Sequence, residues 1–150
     1  LIDLLLELGA DPFITNHDGT STLMAVAGIG VVNPTDGYPG TFDEFEAAFR
    51  MLLDLGLDIN RVDKNQETTM HGAAYRNWPQ AVRLVALLGA TPETWDHKNK
   101  FGWSPLLIAK GYRPGSFKPD PPTIEAVQEV MGDRLNLPQQ KGESLKWEEP

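Results

Sequence analysis

Cysteine is missing from all 150 residues. That absence excludes a disulfide framework, a thiolate nucleophile and a Cys-ligated zinc site. It does not identify the compartment, because cytoplasmic, periplasmic and exported proteins can all lack cysteine. Long apolar runs are also missing, and none approaches the roughly 20 residues a membrane span needs. Positive charge is absent from residues 1–49, which hold eight acids: Asp3, Glu7, Asp11, Asp18, Asp36, Asp43, Glu44 and Glu46. The net charge of -8 argues against binding a nucleic-acid backbone non-specifically. No Gly-rich phosphate loop, G-x-S-x-G or H-E-x-x-H occurs. The carboxylates show no pairing of the glycosidase kind. The expectation is a non-catalytic chain with no cofactor and no metal centre.

What is present suits a folded protein: 41% hydrophobic and 23% charged residues, both near globular averages. Residues 98–118 reverse the charge bias of the first third, with Lys98, Lys100, Lys110, Arg113 and Lys118 and no acid. Two readings stand side by side here. Either these are solvated loops with a chance sign bias, or the surface is bipolar and steers an acidic partner onto its basic end.

Internal self-similarity organises the chain. Asn16–Ala27, Asp63–Ala74 and Asn99–Lys110 align, as do Leu4–Pro12, Leu52–Ile59 and Leu87–Pro92, which contain Gly9, Gly56 and Gly89. Gly56 and Gly89 stand 33 residues apart, whereas Gly9 and Gly56 stand 47 apart, so one unit carries about 14 extra residues. Thr68, with Ser21 and Ser104 in register, reads as a helix N-cap whose hydroxyl accepts from backbone N–H groups. The short helix that follows is rich in small residues, Ala25, Ala27, Ala73, Ala74 and Ala109, so neighbouring helices can approach closely. A second helix has apolar spacing at Ala81, Leu84, Val85 and Leu88. Gly9, Gly56, Gly89 and Gly132 each follow such a helix, where a left-handed cap favours glycine. Each unit is a helix–turn–helix that cannot bury its own apolar face, and stacking buries it.

At Asp63–Ala74 the pattern resembles the ankyrin repeat, matching at Asp63, Thr68, His71, Ala73 and Ala74 and departing at Gln66, Thr69 and Met70. The third unit matches at Gly102, Ser104-Pro105-Leu106 and Ala109, the first at Gly19, Ser21, Leu23 and Ala27. The whole is similar to ankyrin proteins of bacterial type, with about three and a half repeats. The resemblance implies an all-α solenoid of helix–turn–helix repeats with one long insertion inside a repeat. Residues 1–15 read as the second half of a truncated repeat, with further repeats expected before Leu1. Residues 16–62 form a repeat with an insertion at 28–42, and residues 63–98 form the next. Residues 99–135 read as a C-terminal repeat with a Pro-rich loop spanning Gly111 to Pro122, then a helix capped by Thr123. Residues 136–150 are a tail with Leu145 and Trp147 as anchors.

The resemblance also implies a function. Members of this family bind protein partners on a concave side built from the projecting loops and the short first helices. Those positions are His17, Asp18, Thr20 and Ile29 in the first unit, Lys64, Asn65, Glu67, Tyr75 and Arg76 in the second, and Lys100, Phe101, Trp103 and Tyr112 in the third. Lys64, Asn65, Tyr75, Arg76, Lys100, Phe101, Trp103 and Tyr112 are the expected partner-binding residues. Tyr, Trp and Arg are the types that dominate interface hot spots. The competing reading is that Phe101 and Trp103 cover the end of the stack. His71 takes the family's structural place, bonding backbone between adjacent loops. His17 and His97 lie in inter-repeat loops and read as solvated. The expected partner is an acidic protein or another region of a longer chain. The alternative function is a structural or regulatory repeat domain within a larger enzyme or multi-subunit complex. In the insert, Val31, Val32, Tyr38 and Phe42 are too apolar for a solvated loop and should fold back on the stack or onto a partner.

Overall fold

The computed structural model describes residues 2–30, 40–113 and 118–132. Leu1, the insert positions Val31, Val32 and Tyr38, Pro114 in the Pro-rich loop, and the tail with Leu145 and Trp147 lie outside them. Every regular element among the described residues is a helix, and none is a strand. In chain order these are α1 (Ile2–Glu7), α2 (Thr22–Ala27), α3 (Phe42–Asp54), α4 (Thr69–Tyr75), α5 (Pro79–Leu87), α6 (Pro92–Trp95), α7 (Pro105–Ala109) and α8 (Pro121–Met131).

The helix starts follow from local hydrogen bonding. Ser21 accepts from the Met24 amide at the head of α2, and Ser104 accepts from the Leu107 amide at the head of α7. Pro105 sits at the first position of α7, where a missing N–H costs nothing. Ahead of α3, the Thr41 amide donates to Glu44 Oε2 at 2.7 Å and the Glu44 amide donates to Thr41 Oγ1 at 3.2 Å, a complete capping box. Gly56 and Gly89 follow α3 and α5 with φ of +96° and +114°.

Two expected caps need correction. Thr68 flanks α4, but its hydroxyl makes no capping bond. It pairs instead with His71 Nδ1 at 2.9 Å, because the imidazole one turn along offers a better-placed acceptor inside the core. Thr123 does not open the last helix; it is buried within it. Asp120 is the cap there, its carboxylate accepting from the Thr123 amide at 3.0 Å. Pro121 and Pro122 therefore form the first turn of α8, where proline is tolerated, so the Pro-rich span is helical in its last two residues.

The helices pack as pairs, α2 with α3, α4 with α5 and α7 with α8. The short helices α2, α4 and α7 lie side by side, and the longer α3, α5 and α8 form a second row behind them. Close approach between α2 and α4 rests on two glycines. A Cβ on Gly72 would stand 3.0 Å from the backbone of Ala27, Gly28 and Ile29, and one on Gly28 would stand 2.4 Å from the Gly72 carbonyl oxygen. Between the rows lies the core, with Leu23, Phe49, Leu52, Met70, Val82, Val85, Trp95 and Val127 buried. Phe42, at the end of the insert, folds back on the stack and meets Trp78 edge-on at 6.0 Å. The short α6 is absent from the sequence reading, and it buries Trp95, whose indole N–H faces the Ala90 carbonyl at 3.4 Å.

Candidate functional site

Three turns of one design precede α2, α4 and the helix after Trp103. In each, the first residue's side-chain oxygen accepts from the backbone two and four positions on. Asn16 Oδ1 takes the Asp18 and Thr20 amides, both at 2.9 Å. Asp63 Oδ1 takes those of Asn65 and Glu67 at 2.8 and 2.9 Å. Asn99 Oδ1 takes those of Phe101 and Trp103 at 3.1 and 3.0 Å. The fourth position of every turn has positive φ: Gly19 at +82°, Gln66 at +60° and Gly102 at +91°.

The turns are joined into a ladder. The Lys64 amide donates to the Asp18 carbonyl and the Lys100 amide to the Asn65 carbonyl, each at 2.9 Å. Side chains repeat the link: Thr20 Oγ1 donates to Asp63 Oδ2 at 2.9 Å, and Asn99 Nδ2 donates to Glu67 Oε1 at 3.0 Å. Tyr75 adds to this node by donating its hydroxyl to Glu67 Oε1 at 2.9 Å. Burial pushes the Glu67 carboxyl above its ordinary pKa against the opposing effect of the Tyr75 and Asn99 hydrogen bonds, and Asp63 adds to the rise. Burial also raises the Tyr75 phenol, and the Glu67 charge reinforces it.

His71 is fully buried beneath the ladder. Its Nε2 faces the His97 carbonyl at 3.2 Å while Nδ1 faces the Thr68 hydroxyl. A carbonyl can only accept, so Nε2 carries the proton and Nδ1 accepts. Burial, reinforced by the neighbouring His97 ring, lowers its pKa to about 4, so it is neutral at pH 7. His97 in turn donates from Nε2 to the Gln66 carbonyl at 2.9 Å.

The expected binding residues divide into two groups. Lys100, Phe101 and Trp103 come together at the last turn: Phe101 and Trp103 stack with centroids 5.4 Å apart, and Lys100 Nζ stands 5.1 Å from the centre of the Phe101 ring. Phe101 is 51% exposed, Trp103 is half-buried and Lys100 is exposed. Tyr112 is partly exposed after α7. Tyr75 and Arg76 are half-buried, like Trp103, and are engaged by contacts within the chain. Tyr75 is half-buried with the Arg113 guanidinium on its carbonyl and over its ring, and Arg76 lies over Trp78 at 5.5 Å. Lys64 is exposed, with Nζ donating to the His17 carbonyl at 2.7 Å, and Asn65 is half-buried. The Glu67–Tyr75–Asn99 node is missed by sequence reasoning, since its members are up to 32 residues apart. The alignment of Asn99 with Asp63 was the available signal.

Among the described residues, no cluster of three or more His, Asp or Glu side chains could hold a metal ion, and no helix is long and apolar enough to cross a membrane. An open groove of about 450 Å³ between α1 and α3 is lined by Ile2, Asp3, Glu44, Ala47, Ala48 and Met51 and gathers no reactive constellation.

No family model matches the chain. Over 66 residues, 44% of its length, the chain is 32% identical to the glycerophosphocholine phosphodiesterase gde1 of Schizosaccharomyces pombe. The matched stretch is 6% of that protein.

Proposed function

We propose that the chain is an ankyrin-type repeat solenoid that acts as a non-catalytic protein-interaction module. The observation that carries the reading is the Lys100–Phe101–Trp103 cluster: two stacked rings and an ammonium presented on a projecting turn. Rigid aromatic rings give large contact area at small entropic cost, and exposed ones gain most when a partner covers them. Lys98, Lys100 and Lys110 nearby favour an acidic partner, with association weakening as salt rises. The repeat reading draws support from the three congruent turns and their ladder, which recur with the period of the sequence alignment.

The test is affinity capture with the unaltered chain and with Trp103→Ala, followed by titration of the purified partner against both. A partner that binds the first and loses about ten-fold or more in affinity for the second, at unchanged helicity, supports the reading. Equal affinity overturns it.

A second reading is a structural or regulatory repeat domain within a larger enzyme. What favours it is the similarity to a small part, 6%, of a much longer phosphodiesterase. Under this reading the cluster contacts another region of the same long polypeptide.

A further inference from the structure

The groove between α1 and α3 belongs neither to the turn ladder nor to the Lys100–Phe101–Trp103 cluster. Its α3 wall is Glu44, Ala47, Ala48 and Met51, spaced i, i+3, i+4, i+7 along one face of the helix. Ile2 and Asp3 close it from the α1 side. Two consecutive alanines leave the middle of the α3 wall without bulk, and the space of about 450 Å³ opens there. Sites that take up groups of another molecule have volumes of roughly 300–1,000 Å³. The apolar register continues beyond the lining in both helices. Leu5 follows Ile2 by one turn, Leu55 follows Met51 by one turn, and both are exposed. Exposed apolar surface rimmed by polar groups marks an interaction site.

The polar rim has one sign. Asp3 and Glu44 are exposed, and among the described residues neither forms an ion pair. Arg50, the one base on α3, is already held by Glu46 at 2.7 Å. Residues 1–49 contain no Lys or Arg, so nothing in this first third offsets the two carboxylates. An apolar floor between acidic rims is complementary to apolar groups flanked by basic ones. A second copy of the chain fits this poorly, because two molecules of net charge -8 repel each other. The shape narrows the partner further. The stretch from Glu44 to Met51 gives two helical turns, about 10 Å of trough, and a helix packs into a trough between helices by ridges and grooves. Among the described residues there is no strand whose edge an extended peptide could join.

We infer that the α1–α3 groove is a docking site for a basic amphipathic helix of a partner protein. The partner's apolar stripe enters over Ala47 and Ala48, with anchors at i, i+3 or i+4, and i+7. Its Lys or Arg residues flank the stripe and meet Asp3 on one rim and Glu44 on the other. Glu44 keeps its capping bonds to Thr41 in this arrangement, since a carboxylate accepts several hydrogen bonds at once. The surface prefers charge opposite to that favoured by the Lys100 cluster. The inference therefore goes beyond the earlier reading and does not depend on it.

The test uses the full 150-residue chain and a synthetic probe. The probe is a peptide of about 18 residues with Leu at i, i+3, i+4, i+7 spacing and Lys elsewhere. Calorimetric titration should show one-to-one binding that weakens as salt rises, with a gain of helicity in the peptide. A scrambled peptide of the same composition, and one with Glu in place of Lys, should each bind about ten-fold or more weakly. Ala47→Arg places a cation in the groove from an exposed helical position, and should weaken binding about ten-fold or more at unchanged helicity. Asp3→Asn combined with Glu44→Gln should flatten the salt dependence, and Gln at 44 preserves the capping box. Trp103→Ala should bind the peptide as the unaltered chain does, which keeps this test separate from that of the aromatic cluster. No binding, equal affinity for either control peptide, or unchanged affinity in Ala47→Arg overturns the inference. Loss of binding in Trp103→Ala also overturns it. So does self-association of the unaltered chain that Ala47→Arg abolishes, because a second copy then fills the groove.

Discussion

Helices α1 and α4 are nearly equal in length and opposite in fate. α1 contains Ile2, Leu4, Leu5 and Leu6, yet none of its residues is buried. α4 reads Thr-Met-His-Gly-Ala-Ala-Tyr, has far less aliphatic surface, and buries six of its seven residues. The difference lies in their neighbours. α4 has α2 on one side, α7 on the other and α5 behind, whereas α1 reaches the core mainly through Ile2. Leu4, Leu5 and Leu8 remain 52%, 46% and 75% exposed, with Phe13 and Ile14 beyond them. Burial here is a property of the neighbours a helix has rather than of its own hydrophobicity.

The most direct way to break this comparison is to truncate one large side chain in each region. Phe49 is fully buried between the helix rows, and Phe49→Ala should cost about 3–5 kcal/mol, through lost transfer energy and the cavity left behind. Leu8→Ala, despite removing an equally apolar group, should change stability by no more than about 0.5 kcal/mol. Urea unfolding of both variants checks this, and a large loss at Leu8 would mean that α1 is covered in solution.

His71 sharpens the same contrast through pH. Its folded pKa of about 4 lies below the ordinary 6.5, so between these values the unfolded chain binds more protons than the folded one. Its contribution is fully present above pH 6.5 and is lost as pH falls towards 4. The span amounts to about 3 kcal/mol. Glu67 acts in the opposite sense: its raised pKa favours folding at low pH, and that contribution is lost as pH rises through the folded value. Unfolding free energies of the unaltered chain and His71→Gln at several pH values separate the two, since the variant should lose the acid-side decline. Parallel curves would show that His71 does not titrate with unfolding.

Trp103 decides between the two readings of the last turn. Half-buried and stacked on an exposed Phe101, it should cost less than about 1.5 kcal/mol in stability when changed to Ala, while partner affinity falls by about 2 kcal/mol. The reverse pattern, lost stability with intact affinity, would make the cluster an end cover for the stack.

Much of this organisation is legible in the residues. The glycines at 9, 56, 89 and 132 mark helix ends because each has a positive φ that most side chains disfavour, although Gly132, with ψ of -168°, is not in the left-handed helical region. Ser21, Ser104 and Thr41 announce helix starts because their side-chain oxygens accept from backbone amides of the first turn. Features depending on distant partners were not legible. Nothing local places Tyr75 on a glutamate that Asn99 also holds. α6 spans four residues, too few for a periodicity, so the burial of Trp95 gave no sequence signal. The contacts of Tyr75 with Arg113 and of Arg76 with Trp78 gave no sequence signal either.

The smallest effect tests whether the three turns obey one conformational rule. Gly19, Gln66 and Gly102 share the fourth position, and all have positive φ. For glutamine that conformation brings Cβ against the backbone, at a cost of roughly 1–2 kcal/mol. Glycine removes the clash but gives the unfolded chain more freedom, which returns part of the gain. Gln66→Gly should therefore raise stability by about 0.5–1 kcal/mol. The bond from His97 survives the change, since it uses the backbone carbonyl of residue 66. Asn77→Gly is the matched comparison: Asn77 also has positive φ, at +51°, but asparagine tolerates that region and the gain should be smaller. Thermal unfolding of the two variants ranks them. A loss of stability in Gln66→Gly would mean that the Gln66 side chain makes a contact stronger than the strain it endures, and the second turn would then differ in kind from the turns on either side.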